Sequence, residues 1–495
     1  MAEKLRHPPG LYVLFGTEAA ERFSFYTMRA LLVLYLTKVI FVDLGDERTI
    51  RDHSLEVYGT YLLLVYLSGL IGGHFADKVL GSRKAIFAGG LVMMSGLFVM
   101  WWPSLIFYGL ALIIVGNGFF KPNISTIVSG LYDEDDKRRD PAFTIFYMGI
   151  NLGAFLAIFG AGLAEKLAGT HTWGWNVGFV LAGLGMVFSL LLFHFFQGTL
   201  GTAGFPPGRQ VTATSRLGAG DWKDILVWSA GMAASAVGVV FLWDLALGPL
   251  WAAIPGAVKM VAGVALLLGA GGGFFAANRD NSRQEWEQIG AIIVLSVFVI
   301  FFWAGFEQAG GTMTLFADEQ TDRHIFGWEM PVVFFQGINP VFILVLAPLF
   351  SLLWAWNDKQ TWGLTTPAKM GLGMIVLGLG FIVMYFGQQV ATEYGAAGLQ
   401  WLVAVYLLHT VGELFLSPIG LSMVTKLSPV RRVSLMMGVW FACTAVADYL
   451  SGRLEAIVHH YHLNLWAVLI ASSMGAGVVL LALTPVLRKW MHGKG

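Results

Sequence analysis

Seven ionisable residues interrupt the apolar segments of this chain, and their types suit ion pairing, proton exchange and the binding of charged molecules. Four lie within one short stretch and three lie far apart: Glu18, Glu21, Arg22, Arg29, Lys121, Glu307 and Glu413. A charge at the centre of a bilayer costs about 2.5–3.5 kcal/mol on insertion scales, so such residues pair or line a watery space. Carboxylates exchange protons and bind ammonium groups, whereas Arg and Lys bind carboxylates. The set therefore has the chemistry to hold a zwitterion.

The spacing within the first cluster predicts one polar stripe along a helix. At about 100° per residue, a stripe of about 140° contains five residues: Glu18, Glu21, Arg22, Tyr26 and Arg29. The remaining face is mostly apolar, so the stripe must face water or other charges. A buried ion-pair network that only fixes helix packing, or a channel lining, would also explain it.

The composition is that of a membrane protein. Of 495 residues, 56% are hydrophobic and only 13% are charged, whereas soluble domains have about 25% charged residues. The net charge is zero, so no nucleic-acid partner is implied. The single cysteine, Cys443, excludes an intramolecular disulfide.

Fourteen apolar stretches are long enough to cross a bilayer. They lie near residues 11–40, 56–76, 84–102, 104–129, 143–166, 174–197, 223–246, 253–276, 288–317, 330–356, 368–388, 398–425, 432–458 and 464–487. This layout places 21 Lys and Arg residues in loops on the side of both termini and seven in loops on the other side. The positive-inside rule therefore predicts that both termini are cytoplasmic.

A polar linker divides the apolar segments into groups. Residues 199–222 are rich in Gly, Pro, Ser and Thr, and the two apolar stretches that follow carry almost no charge. We therefore predict an all-α polytopic protein with an N-terminal six-helix bundle (1–198), a linker with an inserted two-helix hairpin (199–284) and a C-terminal six-helix bundle (285–495). We expect the hairpin to provide lipid-facing packing.

Five segments resemble motifs of the proton-dependent oligopeptide transporter family, which belongs to the major facilitator superfamily. The segments read EAAERFSFY (Glu18–Tyr26), GFFKPN (Gly118–Asn123), FYMGIN (Phe146–Asn151), FWAGFEQ (Phe302–Gln308) and GELFLSPIG (Gly412–Gly420). They occur on the expected helices and in the expected order, and the resemblance runs from residue 18 to about residue 445. Any one match would be weak, but the five together are specific.

Another segment fits a pattern of the wider superfamily. Residues 73–84 match GxxxDxxxGxR in the loop between the second and third helices, with Asp77, Gly81 and Arg83 at the defining positions. We expect a tight turn there, with a carboxylate near basic residues or a helix N-terminus.

The resemblance implies a proton-coupled symporter that imports di- and tripeptides by alternating access of two six-helix halves. The proton would be the coupling ion, with no other cofactor, and the protein would act as a monomer in the bacterial inner membrane. A proton-coupled carrier of another small anion, zwitterion or drug-like compound stays open. An enzyme is not expected, because the sequence has no nucleophile–base set, no HExxH and no phosphate-binding loop.

The resemblance also implies roles for individual residues. Arg22 and Lys121 would hold the peptide carboxylate, while Glu413, Asn151 and Asn339 would hold the amine. Side-chain pockets would be lined by Tyr26, Tyr66, Trp303 and Trp440, and the substrate site would also include Arg29, Glu307 and Ser417. As alternatives, the two asparagines bond neighbouring helices, and Tyr66, Trp303 and Trp440 serve ordinary packing.

Proton coupling and gating would involve all seven ionisable residues. The resemblance suggests that an Arg29–Glu307 pair closes the outer side and that a Lys121–Glu413 pair closes the inner side. Some family members carry a proton-linked histidine where this sequence has Gly59, so histidine-based coupling is not expected. Asp448 lies in the eleventh bundle helix, and the sequence assigns it no partner.

A histidine cluster near the end of that helix is interpreted as part of a solvated loop. It consists of His459, His460 and His462. We expect no metal site.

Overall fold

The computed structural model describes residues 7–133, 136, 138–205, 216–242, 279–357, 359–360, 363–429 and 433–493. The helices in these ranges are α1 (Pro9–Tyr35), α2 (Glu47–Phe75), α3 (Ser82–Val99), α4 (Ile106–Gly130), α5 (Arg139–Ala168), α6 (Gly174–Phe196), α7 (Ala219–Leu242), α8 (Arg283–Phe306), α9 (Thr312–Glu319), α10 (Ile338–Asn357), α11 (Thr366–Tyr394), α12 (Gln400–Leu427), α13 (Val433–His460) and α14 (Leu465–Trp490). Within the described residues, thirteen segments are long and apolar enough to cross a membrane.

Thirteen of the predicted apolar stretches correspond to these segments, with α8 and α9 sharing one of them. The stretch near 253–276 lies outside the described residues. The largest difference is at α2, which begins at Glu47 instead of near residue 56. The Asp46 carboxylate caps this helix by accepting the Thr49 N–H at 3.0 Å, and such a cap starts a helix within a polar segment that hydropathy alone would assign to a loop.

The predicted helix near 288–317 is broken. α8 ends at Phe306, a 3₁₀ turn covers Glu307–Gly310, and α9 follows from Thr312. The Gln308 side chain bridges the break by donating its amide to the Ala304 and Ser451 carbonyls at 3.0 and 3.1 Å. Irregular backbone inside a membrane protein is tolerated where side chains satisfy the freed polar groups. The break places Glu307 at the end of α8.

The helices form an N-terminal half (α1–α6) and a C-terminal half (α8–α14). In the first half α1 packs against α5 and α6, while α4 packs against α2 and α3; in the second, α11 packs against α12 and α14, and α8 against α13. The halves meet mainly where α2 packs on α13 and where α5 packs on α10 and on the 3₁₀ turn before it, Val332–Gly337. The helix α7 lies against α3 and α4, and thus against the N-terminal half.

The start of α1 and the end of α14 lie on one side of the molecule, which we call the terminal side; the opposite side is the far side. His492 at the end of α14 contacts Glu287 at the start of α8, with 2.7 Å between Nε2 and Oε2. Lys38, just after α1, pairs with Asp318 at the end of α9, so α1 and the α8–α9 pair run in the same direction. Short strands on the far side pair in parallel (Thr321–Asp322 with Ala397–Gly398) and antiparallel (His324–Ile325 with Trp328–Glu329).

The turn between α2 and α3 is tight. A π-helical turn covers Ala76–Leu80, and Gly81 with φ of +74° leads directly into α3. The next residue but one, Arg83, is fully buried and donates its guanidinium hydrogens to the carbonyls of Ala203 and Gly201, both at 2.7 Å. Arg83 therefore anchors the start of the linker to α3. The side chain of Asp77 lies outside the described residues.

Small residues allow α3 and α4 to approach closely. A Cβ atom added to Gly89 would lie 2.5 Å from the Gly116 carbonyl oxygen, and one added to Gly116 would lie equally close to the Gly89 carbonyl oxygen. Glycine at such crossings lets the backbones pack against one another inside a membrane.

We expect Gly89→Val to lower the thermal unfolding temperature in detergent. Overpacking a tight core costs about 1–3 kcal/mol, and here the obstacle is backbone. The matched control is Gly231→Val on α7, where a Cβ atom would meet nothing within 4 Å. Equal unfolding temperatures for the two variants would contradict this account of the α3–α4 crossing.

Candidate functional site

The charges of α1 form a buried network that reaches α4. Glu18 and Glu21 are fully buried. The Arg22 guanidinium donates Nε–H and Nη2–H to the two carboxylate oxygens of Glu21, each at 2.5 Å, and its Nε lies 3.5 Å from Glu18 Oε1. The Lys121 ammonium also pairs with Glu18. Two carboxylates and two cations therefore balance within the N-terminal half.

A second ion pair joins the two halves. The Arg29 guanidinium pairs with the Glu307 carboxylate at the break after α8. The same guanidinium donates its Nε–H to the Tyr58 hydroxyl at 2.9 Å. Since α1 and α2 belong to one half and Glu307 to the other, this contact holds the halves together toward the far side.

The charges of the two halves converge around Tyr26. Its hydroxyl interacts electrostatically with four charged groups: Arg22, Arg29, Glu307 and Glu413. The first two come from α1, and the other two come from the break after α8 and from α12. The polar stripe of α1 thus faces the acidic residues of the C-terminal half, as the sequence pattern indicates.

The carboxylate of Glu413 is held by an amide. The Asn339 side chain donates Nδ2–H to Glu413 Oε2 at 2.9 Å and to the Thr410 hydroxyl oxygen at 3.0 Å. Asn339 lies in the first turn of α10, while Glu413 and Thr410 lie on α12. The acid and the amide that the sequence assigns to an amine therefore form one polar group on the C-terminal half.

The other predicted substrate residues differ in their surroundings. Asn151 donates to the Tyr147 carbonyl of its own helix at 3.0 Å, and Trp303 packs edge-on against Phe302 and Phe306. Trp440 is buried against Gly420, where an added Cβ atom would collide with its ring. The Ser417 hydroxyl is buried and has no hydrogen-bond partner among the described residues. Their roles in binding stay predictions.

The suggested Lys121–Glu413 pair is not formed in this conformation. Within the described ranges Lys121 pairs with Glu18, and Glu413 accepts a hydrogen bond from Asn339. The two halves are therefore not joined through Lys121 and Glu413. That contact stays a prediction for a different state of the protein.

On the far side, further ion pairs close the gap between the halves. The Arg51 guanidinium on α2 donates to Glu455 on α13 at 2.5 Å, and Arg48 contacts the same carboxylate at 3.3 Å. Lys38 and Asp318 pair at 2.7 Å. The sequence analysis does not predict the pairs made by α2, because hydropathy assigns the polar start of this helix to a loop. Asp46 followed by Glu47 is the capping signal that indicates the earlier start of α2.

Several side chains around the same central charges are partly exposed. The Lys121 side chain is 32% exposed, and Tyr66 and Tyr147 are 39% and 40% exposed. Tyr66 interacts electrostatically with Glu307, and Tyr147 with Glu413. Partly exposed side chains therefore lie near the central charges in a conformation whose far side is held closed by ion pairs.

Comparisons with known proteins agree over almost the whole chain. The sequence pattern of the POT family matches residues 83–213 and 269–468. The peptide transporter YePEPT of Yersinia enterocolitica is 33% identical over 99% of this chain and 96% of its own length. The di-/tripeptide transporter of Lactococcus lactis subsp. cremoris is 30% identical over 98% of this chain and 96% of its own. A crystal structure of peptide transporter POT in complex with sulfate is 33% identical, covers 99% of this chain and 97% of that chain, and has a TM-score of 0.79.

Proposed function

Because this chain belongs to the POT family, we propose that it transports di- and tripeptides together with protons across a membrane by alternating access. It is a multi-pass membrane protein with the fold of the major facilitator superfamily. The observation that carries the proposal is the convergence of basic groups from one half and acidic groups from the other around Tyr26.

This polarity suits the constant parts of a peptide. Every unmodified short peptide has an ammonium group and a carboxylate, whatever its side chains. Arg22 and Lys121 supply cations for the carboxylate, and Glu413 with Asn339 supplies acceptor oxygens for the ammonium group. In the conformation described, Arg22 and Lys121 are paired with Glu21 and Glu18. A peptide carboxylate therefore competes with these two acids for the cations.

Proton coupling is supported by the ion pair between the halves. A carboxylate that accepts a proton loses its attraction for a neighbouring guanidinium. Protonation of Glu307 therefore releases Arg29 and lets the far side open, and deprotonation allows the pair to re-form. Glu18 and Glu21 take part through the cations that they share with the substrate.

The cellular setting follows from the charge distribution of the loops. With both termini in the cytoplasm, the far side faces outward, and the conformation described is inward-facing. We place the protein in the inner membrane as a functional monomer. It uses the proton as its coupling ion, with no metal or organic cofactor, and has no enzymatic activity.

The test is uptake of labelled dialanine and trialanine into liposomes containing the purified protein, with and without an inward proton gradient. We expect accumulation above the external concentration, and a protonophore should abolish it. Protein-free liposomes serve as the control. A monodisperse preparation that takes up neither peptide would overturn peptide specificity and favour a proton-coupled carrier of another small anion, zwitterion or drug-like compound.

A further inference from the structure

One buried carboxyl group takes no part in the ion pairs described above. Asp448 lies in α13 and is 1% exposed. Within the described residues, neither carboxylate oxygen has a hydrogen-bond partner. The nearby Ser451 hydroxyl donates to the backbone carbonyl of Asp448 at 2.7 Å and not to the Asp448 carboxyl group.

The packing of α2 on α13 seals this carboxyl group from water. A Cβ atom added to Gly59 would lie 2.9 Å from Gly452 Cα and 3.0 Å from the Asp448 carbonyl oxygen. The two backbones therefore touch beside Asp448, with no side chain between them. A buried carboxylate without hydrogen bonds is strongly disfavoured in its ionised form.

Asp448 is close enough to the ion pair between the halves to sense it. The charges that act on it are those of Glu307 and Arg29. From α2, the hydroxyl groups of Tyr58 and Tyr66 also interact with it. Helices α12 and α14 contact α13 as well, but no charged group of their described parts is among its interaction partners.

The charged residues farther along α13 are already engaged. Glu455 accepts hydrogen bonds from Arg48, Arg51 and the Thr312 hydroxyl. Arg453 pairs with Glu56 on α2. The local balance around Asp448 is therefore two carboxyl groups, its own and that of Glu307, for the one guanidinium of Arg29.

We propose that Asp448 is a proton-binding site of the transport cycle. Its carboxyl group must take up a proton from the far side before the two halves can close there. The inference rests on the proposed proton-coupled function. When α2 separates from α13, water reaches the carboxyl group, which can transfer its proton to that water and become a carboxylate. In the closed conformation Glu307 neutralises Arg29, so an ionised Asp448 would be an uncompensated buried charge. One proton therefore binds to Asp448 at each closure.

The proton on Asp448 can be measured without transport. Infrared spectra of the purified protein near neutral pH report the C=O stretch of protonated carboxyl groups. The spectrum of each variant is subtracted from that of the wild type. We expect part of this band to be lost in Asp448→Asn, which is isosteric and cannot ionise. The matched control is Glu56→Gln, which removes an exposed carboxylate from the same helix pair and should leave the band unchanged. An Asp448→Asn spectrum identical to the wild type would overturn the proposal, and Asp448→Ser provides the same comparison if the Asn variant does not fold.

A transport measurement tests whether the cycle uses this proton. Uptake of labelled dialanine is measured as the external pH is raised above neutrality. In Asp448→Asn the far side closes without a proton, so we expect the alkaline loss of uptake to be reduced or shifted to higher pH. An unchanged pH profile, together with the altered infrared band, would show a proton that is only structural and would overturn the role in transport. If wild-type protein transports no peptide, the infrared result still decides the protonation of Asp448, so failure of the two proposals can be told apart.

Discussion

Glu307→Gln is expected to abolish proton-driven accumulation of dialanine while the protein still binds the peptide. The substitution leaves Arg29 buried between the halves without its carboxylate partner. Removing one partner of a buried ion pair costs about 3–5 kcal/mol, which shifts an equilibrium by roughly 100- to 4,000-fold. We therefore expect the far-side-closed conformation to lose most of its population. Glutamine also cannot take up the proton that would drive the cycle.

The measurement compares accumulation under an imposed proton gradient with binding in detergent. The matched control is Glu393→Gln, which removes an exposed carboxylate near the end of α11 and should accumulate peptide like the wild type. If Glu307→Gln concentrates dialanine to the wild-type level, Glu307 does not couple protons to transport.

Lys121→Ala is expected to weaken binding of dialanine far more than binding of dialanine amide. Lys121 lies on α4 with its side chain partly exposed, so a peptide carboxylate can reach it. A hydrogen bond to a charged group is worth about 1.5–3 kcal/mol, which corresponds to a roughly 10- to 150-fold loss of affinity. The amide has no carboxylate, so the same substitution removes little from its binding.

Competition against a labelled peptide gives both affinities in the same preparation. The complementary pair is Glu413→Gln with N-acetyl dialanine, which lacks the ammonium group and should be insensitive to that substitution. If Lys121→Ala weakened dialanine and its amide equally, the lysine would act through its contact with Glu18 on the shape of the site. Recognition of the carboxylate by Lys121 would then be refuted.

Sequence alone revealed features that depend on neighbouring residues. Apolar stretches of about 20 residues identify membrane helices because an unpaired backbone is too costly in lipid. The 3.6-residue period is equally local, and it places Glu18, Arg22 and Arg29 on one face of α1. The motifs around these residues identified the family, and the comparisons with known proteins confirmed it.

Tertiary structure decided the partners of those charges. Lys121 pairs with Glu18 and not with Glu413, because an ion pair depends on distances between helices that change with the state of the protein. The break at Glu307–Gly310 and the isolation of Asp448 under Gly59 and Gly452 also arise from packing between elements far apart in the chain. Residue types and helical period establish which groups face the interior, but only the assembled halves determine which charges meet and which carboxyl group is left to hold a proton.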